Sequence, residues 1–86
     1  MDVVARTPAQ LGAALKSARI RRGLSQTDAA SSVGLKQKTV SSLENIGAKT
    51  SVETLYKMLS ALDLELVVRD KDRGDTSARN ESSREW

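Results

Sequence analysis

Up to Leu62 the apolar positions of this chain recur with a helical period, and beyond it they switch to the two-residue repeat of a strand. Leu11, Ala14, Leu15 and Ala18 fall at i, i+3, i+4 and i+7, one face of a first helix. Thr7-Pro8 opens it. Threonine caps free amides, and proline is tolerated in the first turn because its missing N–H would have no partner there. Gly23, which accepts positive φ, ends the helix. Ser25 followed by Asp28 is close to a capping box, with Asp in the usual Glu position. A short second helix is therefore predicted over residues 25–32, stopped by Gly34. A third is predicted over residues 35–45, with Val40 and Leu43 as its inward pair. At about 100° per residue, Lys38 lies nearly opposite that pair, Ser41 and Ser42 also turn outward, and Gln37 sits on the flank. Thr50-Ser51-Val52-Glu53 reads as a capping box for a fourth helix, with an apolar stripe of Val52, Leu55, Tyr56, Leu59 and Leu62.

The change of period comes next. Leu64, Leu66 and Val68 alternate with Glu65, Val67 and Arg69, the spacing of a half-buried strand. A lone strand leaves its backbone groups unpaired, so it must meet the same strand of a second copy or extend another chain's sheet. Residues 70–85 contain no Leu, Ile, Val, Met or Phe and are expected to be disordered, ahead of a terminal Trp86. The chain thus divides into a flexible N-terminus over residues 1–6, a folded domain over 7–69, and a disordered tail over 70–86.

Composition narrows the function classes. The 86 residues are 38% hydrophobic and 29% charged, which suffices for one small core. At this length only roughly 60–65% of the unfolded surface is buried, so the core is compact or shared with a second copy. There is no Cys and no His. Disulfides, thiolate zinc sites, Cys nucleophiles and imidazole bases are thereby excluded. No glycine-rich phosphate loop or recurrent carboxylate pair is present either, so an enzyme, a metal site and a cofactor are not expected. Tyr56 and Trp86 are the only aromatic residues, too few for a base-stacking platform on single strands. No apolar run approaches the ~20 residues that cross a bilayer, and no export signal opens the chain. A soluble cytoplasmic module without a small-molecule substrate is the expectation. The net charge is +3. Residues 70–86 hold four basic and five acidic residues, leaving ten basic and six acidic residues, a net of +4, on residues 1–69. A basic folded part suits a polyanion, though many ordinary surfaces carry as much charge.

Two short helices across a tight Gly-containing turn, with polar and basic residues on the outer face of the second, suggest a helix-turn-helix. The second helix of such a pair enters the major groove with its N-terminal side chains at base edges. Lys donates to guanine O6 and N7, Gln pairs with adenine N6 and N7, and Ser serves either role. Lys36, Gln37, Lys38 and Ser41 form the base-contacting set on this reading. The plainer alternative is a solvated helix face.

Leu11-Gly12, Leu15, Arg19, Gly23-Leu24-Ser25-Gln26, Ala29, Gly34-Leu35, Thr39-Val40-Ser41, Leu43-Glu44 and Ser51-Val52-Glu53-Thr54-Leu55 resemble the helix-turn-helix domain of Xre/Cro-type repressors without interruption. Leu35-Lys36-Gln37-Lys38-Thr39-Val40-Ser41, Leu43-Glu44-Asn45, the strand and the tail ending Glu85-Trp86 are similar, more narrowly, to HipB antitoxins. The resemblance implies an all-α domain of four to five helices, one short C-terminal β-strand pairing antiparallel across a homodimer through Leu64, Leu66 and Val68, and a disordered tail. It implies a bacterial, nucleoid-associated protein that binds palindromic double-stranded operator DNA, represses its own operon and neutralises HipA, a serine/threonine kinase toxin. Ser25, Gln26, Thr39 and Asn45 would contact the DNA backbone, with Gln26 also anchoring the third helix. Arg21 and Arg22 would meet phosphates, or stay free in solvent. Arg19 would pair with Glu44 rather than with phosphate. Trp86 would anchor in a HipA pocket, unless it is a chance terminal residue. Lys36 stands where Xre domains place a small capping residue, and Lys38 adds charge where a small residue is usual, so the operator bases do not carry over. A stand-alone Xre-type repressor with an unrelated tail is the alternative.

Overall fold

A computed structural model describes residues 2–45 and 49–71. Among them are four helices, α1 (Pro8–Arg21), α2 (Gln26–Ser32), α3 (Gln37–Asn45) and α4 (Val52–Ala61), and no strand. The starts of α1, α2 and α4 are set by side chains at their own first turns. The Thr7 hydroxyl accepts from the Gln10 amide at 3.1 Å, while Gln10 Oε1 accepts from the Arg6 N–H at 2.6 Å. Residues 2–6 ahead of it are non-helical and exposed. Ser25 and Asp28 close a reciprocal capping box on α2, the Asp28 N–H donating to Ser25 Oγ at 2.9 Å and the Ser25 N–H to Asp28 Oδ2 at 3.3 Å. For α4 the cap is Ser51, one residue later than Thr50, with the Thr54 N–H donating to its hydroxyl at 3.0 Å.

Three of the helices stop in the same way. After α1 the Gly23 N–H donates to the Ile20 carbonyl at 3.0 Å and the Leu24 N–H reaches back to Arg19 at 3.2 Å. After α2, Gly34 donates to Ser31 and Leu35 to Ala30; after α4, Asp63 donates to Ser60 and Leu64 to Leu59. This is the Schellman pattern, which requires a left-handed residue just past the helix. Gly23 (φ 71°) and Gly34 (φ 72°) supply it without strain, whereas at α4 the position is held by Asp63 (φ 57°). In each motif the following leucine, Leu24, Leu35 or Leu64, folds back onto the core. That role moves the start of α3 from the expected Leu35 to Gln37. Leu35 closes α2, and Lys36 stands just ahead of α3 with its carbonyl accepting from the Thr39 and Val40 amides.

The core consists of Leu15 and Ala18 of α1, Ala29 and Ala30 of α2, Val40 and Leu43 of α3, and Met58, Leu59 and Leu62 at the end of α4. Leu11, Leu55 and the three capping leucines pack against it. Burying each large aliphatic side chain contributes about 1.5–3 kcal/mol. The apolar stripe expected on α4 is rotated in the structure. Met58 is fully buried, whereas Val52 (68% exposed) and Tyr56 (52% exposed) face out. The line that joins the core is Leu55, Met58, Leu59 and Leu62. Leu64, counted with the strand from its spacing, is instead half-buried on its own chain's core, while Leu66, Val67 and Val68 stand exposed in a non-helical segment.

Candidate nucleic-acid interface

The α2–turn–α3 unit is fixed at both ends of its turn. The Leu35 N–H bond to the Ala30 carbonyl at 2.8 Å sets the exit from α2, and Leu35 on the core sets the angle at which α3 begins. On α3, Val40, Leu43 and Glu44 are buried. By the helical repeat of about 100° per residue, Lys38, Ser41, Ser42 and Asn45 share the opposite side. Lys36, Gln37, Lys38, Ser42 and Asn45 are exposed, and Thr39 and Ser41 are half-buried. The Asn45 amide folds back along its own helix, donating to the Ser41 carbonyl at 2.9 Å and to Ser41 Oγ at 3.2 Å.

Behind this face runs a hydrogen-bond chain. Arg19 Nε donates to Glu44 Oε2 at 2.6 Å and Arg19 Nη2 to Oε1 at 3.1 Å, while Nη1 donates to the Leu24 carbonyl at 2.8 Å. One guanidinium thus ties α1 to the end of α3 and to the α1–α2 turn. The Glu44 side chain is fully buried and that of Arg19 is 11% exposed. The hydrogen bond that Arg19 donates to Glu44 raises the Arg19 pKa above its already high ordinary value, against the opposing effect of burial, so the guanidinium stays charged. Gln26 Nε2 adds a third donor to Glu44 Oε1 at 3.1 Å, and Gln26 Oε1 accepts from Gln37 Nε2 at 2.5 Å. No buried side-chain polar atom among the described residues lacks a partner.

Gly12 lets α1 approach this closely. A Cβ at Gly12 would lie 2.6 Å from the Leu43 carbonyl oxygen and 2.7 Å from that of Glu44. The glycine therefore sets how near the Glu44 end of α3 comes to Arg19.

The helix-turn-helix family HTH_3 matches residues 15–68. Antitoxin HipB of Escherichia coli O6:H1 is 34% identical over 80 residues, covering 93% of this chain and 85% of that protein. The chain belongs to the HipB antitoxin family. Among solved structures, HipB in a HipB–O4 20mer complex superimposes with a TM-score of 0.78 at 32% identity, over 83% of this chain and all of that one. A chain of a HipA–HipB–O2–O3 complex matches with the same TM-score, identity and coverage.

In this HipB-family chain the turn and α3 bring Lys36, Gln37, Lys38 and Ser41 onto or beside one face. Gln26 turns inward, with its amide engaged on Glu44 and Gln37 rather than held outward. Arg21 is exposed and donates to Ser17 Oγ at 3.2 Å. Arg22 lies 3.9 Å from Asp63, beside the end of α4. Trp86 and the tail from residue 72 onward lie outside the described residues. Sequence reasoning gave no role to Gly12, whose importance is its close approach to the backbone of Leu43 and Glu44, far away in sequence. It also left Ser42 out of the contact set, although the helical repeat already turned that residue outward. Among the described residues no helix is long and apolar enough to cross a membrane, and no cluster of His, Cys, Asp or Glu could hold a metal ion.

Proposed function

We propose that this chain is the DNA-binding antitoxin of a type II toxin–antitoxin pair. As a homodimer it binds palindromic operator DNA through the major groove and represses its own operon, and it binds and neutralises a HipA-like serine/threonine kinase. The observation that carries this reading is the braced α2–turn–α3 unit, with Lys38 and Ser41 outward, in a chain 34% identical to antitoxin HipB. Solved HipB relatives in complex with an O4 20mer and with HipA support the same partners. It acts by binding; phosphoryl transfer belongs to the kinase.

On this reading Lys36 and Lys38 donate to guanine edges, Gln37 reads adenine, and Ser41 serves either role. Ser25, Thr39, Asn45, Arg21 and Arg22 contact the sugar-phosphate backbone and fix the register. Gln26 at the head of α2 acts mainly by holding α3. The exposed Leu66 and Val68, continuous with a shallow depression that Tyr56 and Leu66 line, pair with a second copy. Pairing there sets two α3 helices about one DNA turn apart, ~34 Å, and demands an inverted repeat. Trp86 supplies a large aromatic anchor for the kinase. Such a protein works in the bacterial cytoplasm, on the nucleoid.

The test is fluorescence anisotropy of a labelled duplex carrying the chain's own promoter, titrated at several salt concentrations. Two phosphate contacts per protomer give a log–log salt slope of about −3.6 or steeper for the dimer. Equal affinity for promoter and unrelated DNA would refute operator recognition. Promoter binding without capture of a HipA-like kinase would make the chain a stand-alone Xre-type repressor.

A further inference from the structure

Past the α4 stop the chain runs from Leu64 to Lys71 without a turn or a bend. Side chains along such a stretch alternate between two sides. Leu64 packs on the core, which puts Leu66 and Val68 on its side and Glu65, Val67 and Arg69 on the other. Every residue from Glu65 to Lys71 is exposed. Among the described residues neither Glu65 nor Arg69 has an ion-pair partner in its own chain. The two carry opposite charge and stand equally far on either side of Val67.

That symmetry selects one way of pairing two identical strands. In an antiparallel pair with its two-fold axis at Val67, Val67 meets its own counterpart. Leu66 then meets Val68 of the second copy, and Glu65 meets Arg69 of the second copy. Moving the axis to Leu66 sets Glu65 against Val67 and requires Leu64, already packed on its own core, to oppose Val68. Moving it to Val68 sets Val67 against Arg69 and Leu66 against Asp70. A one-residue slip puts Leu66 and Val68 of one copy on the face that carries Glu65 and Arg69 of the other. Of these registers only the axis at Val67 opposes apolar to apolar and acid to base at every position from 65 to 69.

We infer that Glu65 and Arg69 form two cross-strand ion pairs, flanking a central contact between the two Val67 side chains, which fix the register of the dimer and make the strand selective for a second copy of this chain. The inference rests on the dimer reading above and names contacts which that reading leaves open. Directly opposed charges of unlike sign favour a strand pair and those of like sign disfavour it. The residues that accept an identical strand therefore refuse one with another charge pattern. Both pairs lie on the outer face, away from Leu66 and Val68, where salt screens them.

The experiment has two arms. The chain contains no cysteine, so Leu66→Cys, Val67→Cys and Val68→Cys each introduce a single thiol. Directly opposed residues have Cα atoms about 4.5–5.5 Å apart, within disulfide reach, and positions two residues out of step do not. On mild oxidation Val67→Cys is expected to cross-link the dimer, and the other two variants are not. In the second arm, sedimentation at low ionic strength compares Glu65→Arg, Arg69→Glu, their mixture and the double variant. Both side chains are exposed, so the four helices should form in every variant, as circular dichroism checks. Each single variant opposes like charges at both pairs and should raise the dimer Kd about tenfold or more. Mixing the two single variants restores opposite charges at both pairs and should recover tight association, as should the double variant by itself. Cross-linking through residue 66 or 68 in place of 67, or single variants that dimerise as tightly as the unchanged chain, would overturn the register and leave the dimer standing. A mixture that stays dissociated would do the same. An unchanged chain that is monomeric overturns both the register and the dimer reading.

Discussion

Replacing Arg19 by Ala separates architecture from DNA contact. The change leaves a fully buried carboxylate with one remaining donor, Gln26 at 3.1 Å, and strips the Leu24 carbonyl of its side-chain partner. Removing one member of a buried pair costs about 3–5 kcal/mol, because the other charge stays desolvated and uncompensated. Arg19 is 11% exposed, so some water reaches the vacated space and the low end, about 3 kcal/mol, is the working figure. In a domain of this size each kcal/mol moves the melting temperature by roughly 4–8 °C, so a fall of about 12–24 °C is expected. The pair itself need not be net stabilising. Arg19→Met combined with Glu44→Leu removes both charges and should recover much of the loss. The assay is thermal and urea denaturation at one fixed protein concentration, since dimerisation makes apparent stability concentration-dependent. A fall below about 1 kcal/mol together with lost DNA affinity would refute the reasoning and make Arg19 a phosphate contact.

Further outcomes follow from single positions. Gly12→Ala forces a Cβ against two carbonyl oxygens at 2.6 and 2.7 Å, and should lower stability by about 1–3 kcal/mol or more in urea denaturation; an unchanged midpoint would mean that α1 and α3 can separate freely. Asp63→Gly relieves the only non-glycine positive φ among the described residues and should stabilise by about 0.5–1 kcal/mol, since the exposed 3.9 Å contact it gives up with Arg22 contributes little. A lower melting temperature would show that the Asp63 side chain matters more than its backbone. Leu66→Asp with Val68→Asp places charge on the exposed apolar segment and should turn a micromolar dimer into a monomer by sedimentation velocity. A wild-type chain already monomeric at that concentration would remove the basis of the two-fold operator reading.

Helix starts and stops were legible in the sequence because they are local matters. Thr7, Ser25 and Asp28 satisfy amides within one turn, and Gly23 and Gly34 supply positive φ where the chain reverses. The start of α3 was misjudged by two residues because Leu35 fits a helical period, yet the α2 cap consumes its N–H and the core its side chain. On α4 the period was right but its phase was not. Val52 and Tyr56 fit the same helical repeat as Leu55 and Leu59, and only packing in the assembled core selects Met58 as the inward residue. The pairing of Arg19 with Glu44 came from family resemblance, since residues 25 positions apart carry no local signal. The resemblance gives Gln37 a base contact and Gln26 a backbone contact that also anchors the third helix, without saying which side chain Gln26 holds. That they bond each other follows from the angle between α2 and α3, which no periodicity encodes. For Leu64 the alternation of residues 64–68 concealed its use as a helix stop.

Native mass spectrometry of the chain mixed with its own promoter duplex and a HipA-like kinase tests the central claim most directly. The account expects one species holding two copies of this chain on each inverted repeat together with the kinase. A species with one copy of the chain, or with DNA but never kinase, would contradict it.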